Sequence, residues 1–380
     1  MNFVKYLFTL ILFILMSACS LSQENPSDEK EVSYSPQSNV YLHEKGDMLS
    51  TISFSAIGDI LIHDRVYEDA QTNDGYDFMP MLNSVKPYLS DTTLSIANQE
   101  TMIGGEEIGL SSYPSFNSPT EIGDALKELG IDVVTLANNH TLDRGEKAVL
   151  NAIEHWNKID MVYTGAYESK EDQQQLRTIE TDQGIDVSFL SYTYGTNGIP
   201  VPEGKSHLVN LIDINQMKSD IEQAHSQSEA IIMNLHAGDE YEPLPNEEQK
   251  DLMQFAADAG VDVVIGHHPH VLQPIEWVEG KDGHRMLAVY SLGNFLSGQE
   301  AFEKRVGGII KFDMSKTEGE VIVDSPRFML TYVSSEGPHA YEVLPMHELN
   351  ESILPDYKEI IKEYEQHLSQ WMPELEFISE

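Results

Sequence analysis

The chain has 380 residues, with 23 Lys+Arg against 63 Asp+Glu and a formal net charge of -40. So acidic a protein lacks the basic footprint that nucleic acid or an anionic bilayer would select by charge, which excludes nucleic acid as a partner. A hydrophobic share of 41% excludes disorder throughout and can supply a large core.

The N-terminus carries a targeting signature. Lys5 precedes an apolar run from Tyr6 to Met16, then Ser17, Ala18 and Cys19. The run is too short to span a bilayer core of ~30 Å, but it has the length of a signal-peptide core. The chain has one Cys, so no internal disulfide can form. Small residues before that Cys resemble a bacterial lipobox, with Met16 at the usual Leu position. This implies a signal peptide over 1–18 and a lipid on Cys19. Residues 19–50 are polar and Ser-rich, with two prolines, and read as a tether.

The folded body is expected over 51–350. Short β-rich runs alternate with helical patterns, which predicts an α/β fold. Ser118-Pro119-Thr120-Glu121 offers a helix start. Ile122, Ala125, Leu126 and Leu129 form one apolar stripe, and Gly130 ends it before the strand beginning Ile131-Asp132-Val133-Val134. The device recurs: a stripe of Leu252, Phe255, Ala256 and Ala259, then Gly260, then Val261-Asp262-Val263-Val264. His140 and His270 each lie ten residues after their glycine. Residues 351–380 read as a C-terminal surface helix, its stripe of Ile360, Tyr364 and Leu368 serving packing.

Polar residues gather where apolar runs end. The junctions are Gly58-Asp59 with His63; Asn98-Gln99-Glu100; Asn138-Asn139-His140; His236 with Gly238-Asp239-Glu240-Tyr241; Gly266-His267-His268-Pro269-His270; and Gly293-Asn294. In a parallel sheet the C-terminal strand ends share one edge, where ligands bind. These clusters should therefore converge. Six of the 14 histidines lie in them. Imidazole, carboxylate and amide together suit Zn, Mn or Fe better than Ca or Mg alone. There is no G-x-S-x-G elbow and no G-x-x-x-x-G-K-[ST] phosphate loop.

The stretches FSAIGDILIH, LSIANQET, VTLANNHTLDRG, LHAGDEYEPLPN, DVVIGHHPHVLQPIE and YSLGNF resemble the CapA family of bacterial poly-γ-glutamate capsule-biosynthesis proteins, in the family's order. That family is similar to the calcineurin-like metallophosphoesterases. The resemblance implies a four-layer α/β/β/α sandwich with one or two divalent transition metals (Mn, Zn or Fe) at the strand ends. It implies Asp59, Asn139, His236, His268 and His270 as metal ligands and His140 as the catalytic residue, with Glu100 expected as a ligand in place of the family's bridging Asp. Arg65, Asn98, Glu240 and Asn294, from the same strand ends, are expected to face substrate. Three positions depart from the pattern. Leu61 stands where the D-x-H motif has His, leaving open whether His63 replaces it. Ala97-Asn98-Gln99-Glu100 replaces G-D-x-x-D, and Ala237 replaces the usual Trp.

The expected function is an extracytoplasmic component of poly-γ-glutamate synthesis or export. It would be held at the cell membrane by lipid, beside the polymer and a membrane-bound synthase complex. The alternatives are a metal-dependent phosphoesterase or other hydrolase unrelated to capsule, and a catalytically dead binding module. The net charge opposes polyglutamate binding by the general surface. A metal, or basic groups such as Arg65 and Arg144, would have to supply the attraction.

Overall fold

A computed structural model describes residues 50–379. The expected signal segment, the lipid attachment at Cys19 and all of the tether except Ser50 lie outside the described residues. Among the described residues no helix is long and apolar enough to cross a membrane.

Two sheets form the frame. In the first, strands Ser50–Leu61, Leu94–Gln99, Val133–Thr135 and Val162–Thr164 lie side by side in chain order, all parallel. Antiparallel strands Val306–Thr317, Glu320–Glu336 and His339–Pro345 extend it beyond Ser50–Leu61. In the second, Val187–Thr193, Ala230–His236, Val263–His267 and Arg285–Leu292 are parallel, with antiparallel edges at Arg177–Ile179 and Leu272–Glu279.

The period-2 alternation of each strand sorts its residues into two layers. Phe54, Ile96 and Val133 of the first sheet meet Phe189, Ile232, Ile265 and Val289 of the second in one buried cluster. Their sequence neighbours point outward. Ala97 and Val134 pack on Leu126, Leu129, Val149 and Trp156 of helices Glu121–Leu129 and Gly145–Lys158. Leu190, Met233 and Val264 pack on Ile221, Leu252 and Ala256 of helices Ile214–His225 and Glu247–Asp258. The architecture is the α/β/β/α sandwich.

Two local expectations differ in detail. The helix expected to start at Ser118 begins at Glu121, without a side-chain cap. The Ser118 hydroxyl donates to Thr101 Oγ1 at 2.7 Å, which turns the side chain toward Thr101. The C-terminal helix, Tyr357–Leu368, does more than lie on the surface. Ile360, Tyr364 and Leu368 join the inter-sheet cluster, followed by fully buried Met372.

Candidate metal centre

Glycines let the strand ends approach one another. A Cβ on Gly58 would sit 2.0 Å from Gly293 O, and one on Gly266 would sit 2.0 Å from Tyr290 O. Only residues without a Cβ permit such contacts. Each glycine precedes a site residue, Asp59 or His267.

Asp59 is buried and accepts three bonds. Asn98 Nδ2 donates to Oδ1 at 2.8 Å, His267 Nδ1 to Oδ1 at 3.1 Å, and His270 Nδ1 to Oδ2 at 3.1 Å. Burial raises this carboxyl, but the two imidazoles outweigh burial and hold it well below the usual carboxylate range. Asp59 thus fixes the rings of His267 and His270, as carboxylates behind metal-binding imidazoles do.

Glu100 has the opposite character. Both of its oxygens are buried and have no hydrogen-bond partner. His236 Nε2 and His270 Nε2 lie 3.6 and 3.7 Å from Oε1, too far to bond well. Burial pushes Glu100 well above the usual range, and nearby Asp59 adds to the rise despite His270. Burial drives His268 down to about 4, assisted by His270, and holds His236 well below its ordinary value. His270 is the exception. Although burial lowers it, Glu100 and Asp59 carry it up to about 9.

Three overlapping groups place ligand atoms within 4.8 Å of one another: Glu100, His236 and His268; Glu240, His268 and His270; Asp59, Glu100 and His270. Glu100, His268 and His270 each belong to two of them. His236 Nδ1, His268 Nδ1 and His267 Nε2 are also buried without partners. A divalent cation fits this set, because it would satisfy lone pairs that are otherwise desolvated for no return.

The remaining residues border the cluster. Asn139 Oδ1 accepts from His236 Nε2 at 2.9 Å, and its Nδ2 donates to Asn197 Oδ1 at 3.2 Å. His140 Nδ1 donates to Asp143 Oδ2 at 2.7 Å, and its ring meets Phe116 edge-on at 4.8 Å. Asp143 Oδ2 also accepts from Phe116 N at 2.8 Å, so one carboxylate sets both the imidazole and the loop against it. His268 and His270 have φ of 100° and 60°, strained values for non-glycine residues around Pro269. Such strain concentrates at functional sites.

The four expected substrate contacts divide. Glu240 joins a ligand group. Asn98 is buried and serves Asp59. Asn294 Oδ1 accepts from His270 Nδ1 at 3.1 Å, while its Nδ2 donates to Gln299 Oε1 and Lys304 O, both at 2.9 Å. Arg65 is paired with Glu300. Arg144 is spent on Ile108 O, Gly109 O and Ser111 Oγ. His63 bonds locally to Leu61 O through Nδ1 at 3.0 Å, and burial lowers it to about 4; it joins none of the three groups. The set of expected ligands omitted His267, although it lies in the same junction. It also omitted Asp143, whose signal was its position three residues after His140 in a tight turn.

Residues 53–299, more than half of the chain, match the family described as "Bacterial capsule synthesis protein PGA_cap". The chain belongs to that family. It is 27% identical over 283 residues to the capsule biosynthesis protein CapA of Bacillus anthracis, covering 72% of this chain and 66% of the relative. It is 26% identical over 267 residues to the PGA biosynthesis protein CapA of Bacillus subtilis (strain 168), covering 70% and 68%. The calcineurin-like phosphoesterase YfkN of Bacillus subtilis aligns over 83% of this chain and 99% of the YfkN chain, with a TM-score of 0.42 and 15% identity.

Proposed function

We propose that this PGA_cap member is a metal-dependent component of poly-γ-glutamate capsule synthesis or export, acting on or beside the polymer at the outer face of the cell membrane. A lipid on Cys19 anchors it there, beside a membrane-bound synthase. Glu100 carries the metal reading. A carboxylate with both oxygens buried costs several kcal/mol when nothing meets its charge. A bound cation would meet that charge and both unpartnered oxygens at once, and Asn139, His236, His268, His270 and Glu240 complete its surroundings.

The bound cation, Mn, Zn or Fe, supplies Lewis acidity and a lowered water pKa. The chain does the rest. Asp59 holds His267 and His270 in one orientation and Asn98 braces Asp59. Asp143 fixes His140 Nδ1 as a donor, which leaves Nε2 as the basic nitrogen, able to take a proton from an attacking water and then return it to a leaving group. That imidazole–carboxylate pair favours hydrolysis over passive binding. It equally supports the second reading, a hydrolase whose substrate is a phosphoester.

Metal content of purified protein tests the proposal. At least one ion per chain is expected after incubation with Mn, Zn and Fe. Protein that stays metal-free would sink both hydrolytic readings. Metal-loaded protein that releases phosphate from phosphoesters, and neither shortens nor binds poly-γ-glutamate, would replace the capsule substrate with the second reading.

A further inference from the structure

Beside the metal centre, on the Tyr241 side, a second set of contacts serves none of the steps above. Tyr241 has a φ of 67°, unusual for a bulky residue, and its backbone N donates to Pro269 O at 2.8 Å, inside the His268–His270 loop. Its ring lies 6.0 Å from that of His270 and remains about 39% exposed. On the same ring sits Lys304, its ammonium 3.2 Å from the centroid. Lys304 makes no ion pair among the described residues, in a chain whose acids outnumber its bases 63 to 23. A lysine left on a π face without an ion pair keeps its charge available to a ligand anion.

Asn294 holds this pair in register with the metal centre. The amide whose Oδ1 accepts from His270 also donates to the carbonyl of Lys304 and to Gln299 Oε1. Gln299 Nε2 reaches the Tyr241 hydroxyl at 3.4 Å. One amide therefore links a candidate ligand, the backbone of the lysine and the edge of the tyrosine. Tyr241 also borders a cavity of about 360 Å³ whose lining includes Glu303 and Glu363, so the anionic groups of a substrate are confined to the Lys304 side.

We propose that Lys304, seated on Tyr241, is an anion subsite: it holds a second negative group of a substrate whose first is bound at the metal. The substrate class is a molecule with two or more anionic groups in succession. The proposal rests on the metal reading above and narrows it. A single anion at the metal does not need Lys304. A γ-linked glutamate chain and a phosphoester carrying a carboxylate both do.

The test measures affinity by calorimetry on detergent-solubilised full-length protein loaded with manganese, for wild type, Lys304→Gln and Lys304→Arg. The probes are inorganic phosphate, phosphoglycolate and a short γ-linked glutamate oligomer. Loss of a charge-assisted contact should weaken at least one of the two larger probes by about tenfold or more in Lys304→Gln. Phosphate should stay within about twofold, and Lys304→Arg should recover most of the loss. An effect on the oligomer assigns a carboxylate polymer; an effect on phosphoglycolate alone keeps the subsite and removes the capsule substrate. Unchanged affinity for both larger probes overturns the subsite. So does an equal loss for phosphate, or a wild type that binds none of the three.

Discussion

The segments Glu121–His140 and Glu247–His270 run the same course. In each, a helix ends near a glycine with positive φ, Gly130 at 98° and Gly260 at 81°. The next residue folds back on the helix, Ile131 N to Leu126 O at 3.0 Å and Val261 N to Ala256 O at 3.1 Å. An aspartate then clamps the preceding strand at both ends of one residue. Asp132 N donates to Ser95 O and its Oδ2 accepts from Ser95 N at 2.9 Å; Asp262 does the same with Ile231, its Oδ2 bond being 2.8 Å. Beyond the strand the two diverge. The first closes a tight turn in which Asn138 Oδ1 accepts from His140 N at 2.9 Å, and His140 turns to its own Asp143. The second forces His268 and His270 into positive φ around Pro269 and turns their rings toward residues from other strands. A repeated frame delivers a histidine to the same edge twice, and in the proposed function the local turn sets one to handle protons and the other to hold metal.

Removing single residues should separate the two ends most sharply. His236→Ala, His268→Ala and Glu100→Ala should each cut metal content to about a tenth of wild type or less, measured by elemental analysis. His140→Ala should keep its metal and lower turnover by about 10²–10⁴-fold, the usual worth of a positioned proton donor. Asp143→Asn should move turnover in the same direction by less, because it changes how His140 is held. If His140→Ala also stripped the metal, the two ends would share one task and the division would collapse.

Much of this division was legible in sequence. The helix–glycine–strand copies, the six polar junctions and their meeting at one edge follow from periodicity and from the parallel-sheet rule. Which junction residues face the centre and which brace it was not legible. Asn98 and Asn294 look like substrate contacts in sequence, yet their amides are committed to Asp59 and His270. Ser118 reads as a helix cap, yet the helix starts three residues later and the Ser118 side chain bonds to Thr101. Such assignments depend on partners far along the chain, which no local pattern encodes.

The C-terminal helix supplies a control outside both copies. Leu368 is fully buried among residues of both sheets. Leu368→Ala should cost about 2–5 kcal/mol in denaturant unfolding, as deletion of a core leucine does. Metal content at a temperature where the protein is folded should not change. A loss of metal with the fold retained would mean that this helix shapes the centre.

The smallest effect expected concerns the paired aspartates themselves, and it sets the copies apart by burial alone. Both carboxyls are raised by burial, and Asp262, the more enclosed of the two, reaches about 6 despite its bond from Ile231 N and the nearby His284 and His225. An acid whose folded pKa lies above its unfolded value, ~3.9, binds its proton more tightly in the native state. Its contribution is fully present below the unfolded value and is lost as pH rises through about 6. At pH 8 the ionised Asp262 should therefore cost stability on the order of 3 kcal/mol. Asp262→Asn keeps an oxygen for Ile231 N and removes the charge, so it should recover about that amount at pH 8 and almost nothing at pH 4. Asp132 is partly exposed and its penalty is screened, so Asp132→Asn should gain less at pH 8. Urea unfolding of both variants at the two pH values measures the difference. Equal gains would show that the two clamps sit in the same environment. A loss at pH 8 in Asp262→Asn would show that the ionised carboxylate is what binds the strand.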